Sequence, residues 1–498
     1  MPVVGGDLRL GVATIASLDP ADLAPDSVSA TIAVDLLFDG LTTIPEGEAA
    51  AVPALASAWS SPDSVTWRFT IAPDARFGDG RAVTAADAEF SLERVLTRGA
   101  GSLAASRLDA VAGVEAFVAA GGTPAGADLP SITAVDAVTL EITLDRPMAW
   151  LPELLAAPPY GIVDEQSVLT DGAAFAEGPS IGSGPFRVAE RDGAVLSLVR
   201  APDRRSYVDR IQLHQFDDLS VAFDAFEDDQ LDWTLLAPAQ ADAAAERYGS
   251  DGFVPFHADI YFGFNMRDPV FADVRFRQAI LQAVDRTALV NAVYFGVLSE
   301  MQGIVPAGVA GADPARCGAG CAYDPEAAAA ALAAAFPNGG VPEVIIDFPD
   351  GSDETAAAGA IQQDLVAVGI PATLRSHPSA EYLTFAVSGG QALVSLGWVG
   401  VSPNPADYLD RLYRSDSTDN ITGFADAGVD ALLAQAATTQ DATARLEVLA
   451  QAESAVLALA PTLVLAQSQV LAVAHDDVHD LDVGVTGTFD GEAVWLAS

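Results

Sequence analysis

The stretch YFGFNMRDPVFADVRFRQAILQAVDRTALVNAVYFG, residues 261–296, decides the fold. It begins within a short apolar run, Ile260–Met266, that is typical of a buried strand. Asp268 precedes a proline, and a residue in that position is held out of the helical conformation, so regular structure must break there. Asp273 and Asp285 each stand where an N-cap residue would start an amphipathic helix. The pattern predicts one strand followed by two helices.

The identities of the residues in this stretch are more informative than the spacing of its apolar positions. It closely resembles the signature of the family 5 extracellular solute-binding proteins, which are the oligopeptide-, dipeptide- and nickel-binding receptors of ABC importers. In that family a sheet strand crosses between two lobes and leads into a pair of helices. The residues that carry the resemblance are Asn265, Pro269, Phe271, Val274, Arg275, Arg277, Gln278, Ala279, Ile280, Asp285 and Arg286.

The resemblance extends along the chain. Residues 52–96 form a second block that is similar to the family, and residues 444–474 resemble its closing helix and proline-containing strand. The resemblance implies an α/β fold of the periplasmic-binding-protein type II kind, with two hinged lobes and an accessory α+β domain. The implied boundaries are 1–41, 161–262 and 475–498 for lobe one, 42–160 for the accessory domain, and 263–474 for lobe two.

Local patterns predict further elements without reference to any family. Val65–Ile71 alternates like a strand, Thr84 is placed to cap a helix, and Ala33–Leu41 reads as a helix. After Gly296, helices and strands alternate, which favours a parallel-rich sheet with helices on both faces. The predicted elements there are a helix at Pro325–Phe336, a strand at Glu343–Phe348, a helix at Glu354–Val368 and a strand near Ala372–Arg375.

Composition excludes several classes of function. A chain of 498 residues is too long for one ordinary core, so two or three domains are expected. Its formal net charge of -45 repels phosphate backbones and anionic lipids, which argues against nucleic-acid and membrane-surface binding. Every basic residue is arginine. The absence of lysine excludes a Walker A phosphate loop and Schiff-base chemistry.

The first residues, Met1–Gly6, have neither the basic start nor the apolar core of a signal peptide. Either the protein is cytosolic or this is a mature form whose leader is absent. The resemblance favours the second alternative, because receptors of this family are exported. They are periplasmic or lipid-anchored at the cell surface. No apolar run approaches the roughly 20 residues that a membrane helix needs.

Two short motifs suggest chemistry that their context argues against. Residues 178–182 fit the G-x-S-x-G pattern, which would make Ser180 a hydrolase nucleophile, but that chemistry needs a strand-to-helix elbow and this segment leads into a strand. His475 and His479 are four residues apart among acids and could hold a metal if they lay on a helix. Their surroundings favour a strand ending in a polar loop instead. We therefore expect neither a catalytic serine nor a metal site.

Cys317 and Cys321 are the only cysteines, and two glycines lie between them. A disulfide closing a small loop is the natural interpretation for an exported protein, because the glycines let the chain bend. A zinc site would need about four ligands, and no histidine is near in sequence. A free or metal-bound pair remains the less favoured alternative.

The segment GWVGVSPNPADY, residues 397–408, resembles the family's G-W-x-x-D loop, in which the tryptophan lines the ligand pocket and the aspartate pairs with a peptide's α-amino group. Trp398 matches, but Val401 stands at the acidic position and cannot neutralise an ammonium group. Dipeptide receptors also place an arginine after the strand that matches Glu343–Phe348, and the loop PDGSDE contains none. A shift of register that lets Asp407 serve instead stays open.

Other residues follow from the resemblance as candidates for ligand binding. Tyr261 and Asn265 are expected to be exposed, because the crossing strand borders the ligand cleft in the family. Ser17 and Asn404 are weaker candidates. Together with Trp398 and Val401, these residues make up the predicted ligand-binding set.

The sequence therefore predicts a binding protein and not an enzyme. We expect it to be the extracytoplasmic substrate-binding component of an ABC importer, which captures a peptide-like or other small solute between its lobes and delivers it to a permease. It should need no cofactor and act as a monomer. The alternative is the same fold with a non-peptide ligand, such as an oligosaccharide, an opine-like conjugate or a metal chelate. A serine hydrolase is the distant alternative.

Overall fold

The computed structural model describes residues 4–24, 26–45, 47–98, 102–121, 129–178, 181–202, 204–295 and 297–497. The chain divides into two compact units, neither of which is continuous in sequence. Unit 1 comprises Met1–Val254, Val401–Pro403 and Val470–Ser498, and unit 2 comprises Pro255–Gly400 and Asn404–Gln469. The chain therefore passes repeatedly from one unit to the other.

Unit 1 contains the following helices and strands in its first segment. The helices are α1 Val28–Leu37, α2 Ala85–Leu96, α3 Leu103–Arg107, α4 Val114–Ala119, α5 Leu151–Leu154, α6 Glu165–Asp171, α7 Leu219–Glu227 and α8 Ala241–Tyr248. The strands are β1 Asp7–Ala13, β2 Thr42–Thr43, β3 Val52–Pro53, β4 Ala56–Ser60, β5 Thr66–Ile71, β6 Ile132–Ala134, β7 Thr139–Thr143, β8 Phe186–Asp192, β9 Val195–Arg200, β10 Arg210–Phe216 and β11 Trp233–Leu235.

The main sheet of unit 1 is built on β1, which pairs in parallel with β10 on one side and β11 on the other. Strands β9 and β8 follow β10 in antiparallel order. The inward side chains of β1, such as Leu8 and Leu10, are completely buried, as are Leu198 and Leu213 on the neighbouring strands. Alternating apolar residues in the sequence thus form the core of this sheet.

Residues 42–160, the predicted accessory domain, lie within unit 1 and carry a separate antiparallel sheet in the order β4-β5-β7-β6. Helix α2 begins where the sequence predicts it. Thr84 accepts a hydrogen bond from the backbone N–H of Asp87, and the Asp87 carboxylate accepts one from the backbone N–H of Thr84. This reciprocal capping box fixes the start of the helix.

Unit 2 contains the helices and strands of the remaining chain, up to β17. The helices are α9 Val274–Ala283, α10 Arg286–Tyr294, α11 Pro325–Ala335, α12 Ser352–Ala367, α13 Ser379–Val387, α14 Ala406–Tyr413, α15 Ala427–Thr438 and α16 Ala442–Leu459. The strands are β12 Phe253–Phe264, β13 Ser299–Glu300, β14 Val344–Pro349, β15 Ala372–His377, β16 Leu393–Val399 and β17 Thr462–Ala474. The last two strands, β18 Val478–His479 and β19 Trp495–Leu496, return to unit 1.

The sheet of unit 2 has the order β15-β14-β16-β12-β17, with β13 paired to β17. Strand β14 is parallel to both β15 and β16, as the alternation of helices and strands predicts. Strand β12 is antiparallel to β16. Strands β12 and β17 each have one end in unit 1, where Ala472 and Ala474 of β17 pair with β11.

The two helices predicted after β12 are confirmed. The Asp273 carboxylate accepts from the N–H of Arg275 at the start of α9, and the Asp285 carboxylate accepts from the N–H of Ala288 at the start of α10. Ala279, Ile280, Leu289 and Val290 are buried along their inner faces. Arg286, the first residue of α10, has a buried side chain whose Nε donates to the carbonyl of Val464 at 2.8 Å.

Two local predictions are wrong in position. The helix predicted at Ala33–Leu41 begins earlier, at Val28, because Ser27 caps it, and it ends at Leu37. Residues 397–399, predicted as part of a loop, form the end of β16, since β12 supplies them with backbone partners. None of the helices in the described segments is both long and apolar enough to cross a membrane.

Candidate functional site

The candidate site of unit 2 lies on one face of the antiparallel pair β12 and β16. Asp259 on β12 stands directly opposite Trp398 on β16, and Tyr261 stands opposite Leu396. Side chains directly opposite each other project to the same face of a sheet, and residues two apart on one strand share a face. Asp259, Tyr261 and Trp398 therefore lie side by side.

Asp259 is a buried acid, with 6% of its surface exposed. Its Oδ1 accepts a hydrogen bond from the backbone N–H of Trp398 at 3.0 Å. Within the described segments it forms no ion pair with an arginine or histidine. Burial raises the pKa of the Asp259 carboxyl to about 8, against which the single hydrogen bond has a smaller, opposite effect. At neutral pH the isolated carboxyl therefore retains its proton.

Two phenol groups complete this buried cluster. Tyr261 and Tyr413 are 6% and 2% exposed, and the Tyr413 hydroxyl is 2.9 Å from the Thr462 hydroxyl. Burial raises the pKa of both phenols well above the usual value, and the proximity of Asp259 adds to the rise for each. The two phenols are therefore neutral at physiological pH. We call Asp259, Tyr261, Trp398 and Tyr413 the β12–β16 cluster.

Trp398 is half-buried, so part of its indole faces solvent. Its place at the end of a strand, with its backbone N–H held by Asp259, fixes the residue more firmly than a loop would. Its role as a ligand-binding residue stays a prediction. Its position is nevertheless suited to contact a solute, because a partly exposed aromatic ring supplies a large rigid surface.

Asp259 is the residue that sequence reasoning missed. A signal for it exists in the segment HADIYFGF, where a single acid interrupts a strand of otherwise apolar and aromatic residues. An acid in such a strand is worth attention because an unpaired buried charge is costly. The pairing with Trp398, however, depends on the register with β16, which the sequence does not display.

Val401 and Asn404 are both buried in the structure, at 2% and 3% exposure. Val401 presents only an apolar side chain, as the sequence indicates. The Asn404 side-chain oxygen accepts from the backbone N–H of Ala406 at 2.9 Å and so satisfies the first N–H group of α14. Asp407 lies in the first turn of that helix and is 6% exposed. Its service in place of Val401 remains an untested alternative.

Asn265 differs from the expectation of an exposed side chain, since it is only 4% exposed. Its amide nitrogen donates to the carbonyls of Gln391 at 2.9 Å and Gly389 at 3.3 Å, and its oxygen accepts from the N–H of Arg267. These bonds tie the end of β12 to the segment before β16. Tyr261 is likewise buried, because α14 supplies Tyr413 as its neighbour.

Ser17 lies in unit 1, in the turn after β1, and is half-buried. Its hydroxyl oxygen accepts from the backbone N–H of Asp19 at 3.1 Å, which shapes the turn. Ser17 stays a prediction for ligand contact.

The loop after β14 has no arginine, but the neighbouring strand supplies one. Arg375 on β15 is opposite Asp347 on β14 and donates to its carboxylate, with Nη2 2.9 Å from Oδ2. The ring of His377 lies 2.8 Å from the same carboxylate, and the N–H of Ala392 donates to it at 2.9 Å. Asp347 is completely buried. This network joins β14, β15 and β16, and it neutralises the arginine charge locally.

The histidine pair and the cysteine pair singled out in the sequence both make contacts that stabilise the fold. The His475 ring stacks on Phe226 and the His479 ring stacks on Trp495, so each imidazole has its own aromatic partner. Across the described segments, no three metal-ligating side chains converge on a possible ion site. Cys317 and Cys321 are joined by a disulfide, with Cα atoms 5.5 Å apart. Ser180 lies outside the described residues.

Comparison with known proteins places this geometry in a family. The model of the bacterial extracellular solute-binding proteins, family 5, matches residues 50–420. The chain is 26% identical to the probable deoxycholate-binding periplasmic protein YgiS of Escherichia coli K12 over an alignment of 466 residues. This alignment covers 87% of this chain and 84% of YgiS. The chain is 25% identical over 434 residues to the dipeptide-binding protein DppE of Bacillus subtilis 168, covering 84% and 78%.

Among solved structures, the unliganded open form of the periplasmic murein tripeptide-binding protein MppA superposes with a TM-score of 0.86 at 23% identity. The match covers 99% of this chain and 98% of that one. It shows that the fold is the type II periplasmic-binding-protein fold. The family model spans well over half of the sequence, and the chain therefore belongs to the bacterial extracellular solute-binding proteins of family 5.

Proposed function

We propose that this chain is the substrate-binding component of an ABC importer, working outside the cytoplasm, and that it captures a peptide-like solute for delivery to a membrane permease. Membership of the solute-binding family over residues 50–420 carries the proposal. The relative named as a dipeptide-binding protein supports a peptide-like ligand. The Cys317–Cys321 disulfide is of a kind that persists in oxidising compartments, which supports a location outside the cytoplasm.

The chemistry required of such a protein is reversible binding. The exposed part of the Trp398 indole would supply apolar contact, and the polar groups of the β12–β16 cluster would orient the solute. No covalent step is needed, and the family consists of binding proteins. We infer that the protein acts as a monomer and is retained near the membrane in the cell, by a lipid anchor or by confinement in the periplasm.

The test of this function is mass spectrometry of the purified protein, first under native conditions and then after denaturation. A peptide released on denaturation, and bound again by the refolded protein, is the expected result. A protein that carries no solute should be titrated with a defined mixture of tri-, tetra- and pentapeptides. Failure to bind any of them would refute the peptide assignment.

A second candidate is the same binding function with a non-peptide ligand. Two observations favour it: Val401 is apolar and buried where peptide receptors of the family carry an acid, and the loop after β14 contains no arginine. The relative named for deoxycholate binding also supports a wider range of ligands within the family. Release of a sugar, a conjugate or a chelate in the same experiment would establish this alternative.

A further inference from the structure

Asp259 has surroundings that a merely structural acid seldom has. Two other buried acids of unit 2 have a cationic partner: Asp347 has Arg375, and Glu453 has Arg316 at 2.6 Å. Asp259 has the backbone N–H of Trp398 and, in the part of the chain that the structure describes, no cationic side chain. Burying such a carboxyl costs free energy, so its presence in the strand calls for a compensating role.

The side chains beside Asp259 indicate what that role is. An acid flanked by aromatic rings is suited to a cationic nitrogen, because the carboxylate supplies a charge-assisted hydrogen bond and the ring faces attract a positive charge. Trp398 lies opposite Asp259, and Tyr261 lies two residues along the same strand. The partly exposed indole lies next to the buried acid, so a solute on the ring has the carboxyl beside it.

We propose that Asp259, together with Trp398 and Tyr261, binds a cationic nitrogen of the transported solute. This proposal rests on the solute-binding function proposed above and adds a ligand class to it, namely solutes with an ammonium or guanidinium group. In a peptide, the free α-amino group would fill this role. Asp259 thus supplies from the crossing strand the negative charge that Val401 cannot supply.

Neighbouring acids are less suited to this task. The Asp419 carboxylate accepts from Nε of Arg411 at 2.8 Å, and Asp410 lies 3.2 Å from Nε of Arg414. Both carboxylates therefore already face an arginine. The role for Asp259 requires no change of register in the segment after Trp398.

Binding of a cation should be linked to release of a proton. Burial keeps the carboxyl protonated at neutral pH, and a cation beside it favours the charged form. Affinity should therefore rise as the pH increases from 6 towards 8, and fall again for a peptide once its α-amino group, with a pKa near 8, loses its own proton. In the described residues, the titratable groups that sense Asp259 are Tyr261 on β12 and Tyr413 on α14. His257 lies two residues before Asp259 on the same strand. Both phenols stay neutral throughout this range.

The experiment compares three probe sets by isothermal titration: free-amino tri- to pentapeptides, the same peptides N-acetylated, and a mixture of polyamines with choline. The variant is Asp259→Asn, which keeps the shape of the protonated acid. The matched control is Asp35→Asn in α1, because burial raises the pKa of that acid to about 8 as well. We expect Asp259→Asn to weaken free-amino peptide binding about tenfold or more and to abolish the rise in affinity between pH 6 and pH 8. Asp35→Asn should change neither.

The outcomes separate this proposal from the proposed function. Equal binding of free and acetylated peptides, unaffected by Asp259→Asn, would overturn the cation site and leave the peptide receptor standing. Asp259-dependent binding of the amines without any peptide would support the cation site and refute the peptide assignment. A wild-type protein that binds none of the three sets overturns both. If Asp259→Asn fails to fold, a wild-type affinity that stays constant between pH 6 and 8 refutes the proton linkage and with it the site.

Discussion

Replacing Asp259 with asparagine should make unit 2 more stable at neutral pH. The pKa of the carboxyl is about 8 in the folded chain and near 3.8 in the unfolded chain. Between these values the folded protein holds a proton that the unfolded protein releases, so stability falls as the pH rises through this window and levels off above it. Asparagine does not titrate, and the variant should lack this slope.

The magnitude follows from the width of the window. Each pH unit within it corresponds to about 1.4 kcal/mol, so the advantage of the variant should grow by about 2.7 kcal/mol between pH 5 and pH 7. For a unit of this size, 1 kcal/mol shifts the melting temperature by about 2–4 °C. The difference in melting temperature between variant and wild type should therefore widen by roughly 5–10 °C over that interval.

Differential scanning calorimetry at pH 5, 6, 7 and 8 measures this difference. The matched control is Asp273→Asn in the same unit, whose carboxyl has its pKa lowered, chiefly by the hydrogen bond from the Arg275 side chain. Stability from that acid is present above its unfolded pKa and lost only at more acidic pH, so the control difference should stay constant from pH 5 to 8. A constant difference for Asp259→Asn as well would show that burial does not raise the pKa of its carboxyl.

Three further predictions concern other parts of unit 2. Asn265→Ala should lower the free energy of unfolding by about 1–3 kcal/mol, because it leaves two backbone carbonyls without their amide donor, and denaturant titration measures the loss. The double variant Cys317→Ser/Cys321→Ser should lose about 2 kcal/mol, as expected for a loop closed across so few residues, and reduction of the wild type should reproduce that loss. Trp398→Ala should weaken binding of the natural solute about tenfold or more, whereas Trp59→Ala, which removes a half-buried indole from unit 1, should leave affinity unchanged in the same titration. Unaltered stability of Asn265→Ala or of the double cysteine variant would show that the hydrogen bonds or the disulfide do not stabilise the fold. Unaltered affinity of Trp398→Ala would show that the indole does not contact the solute.

Elements specified by local chemistry could be predicted from the sequence. Asp273, Asp285 and Thr84 are N-caps in the structure because a short acceptor side chain before an amphipathic run satisfies N–H groups of the first turn, wherever the helix lies. The parallel pairing of β14 with its neighbours also followed from the alternation of helices and strands.

The candidate site was harder to predict because its members meet through long-range pairing. The resemblance to the family's G-W-x-x-D loop places Trp398 in a loop, yet Trp398 pairs with β12 as part of a strand. The raised pKa of Asp259 results from its burial in the folded chain, which the sequence does not display. Asn265 is one of the residues that carry the family resemblance, but its side-chain amide is hydrogen-bonded to the backbone. Burial and partners of a side chain depend on residues far away in sequence, and a single sequence does not display them.

The discontinuity of unit 1 has a consequence for biogenesis. Its strand β11 pairs with β1 on one side, but it acquires its second neighbour only when Ala472 and Ala474 arrive, so the sheet stays incomplete until almost the whole polypeptide has been synthesised. Pairings across such sequence separations form slowly, because loop closure costs entropy before the contacts reward it. A nascent chain of this kind leaves part of its main sheet unpaired while it is being made, and chaperones must shield such unpaired strands. Stopping synthesis short of residue 470 should therefore yield a substrate for proteases and not a folded half-protein.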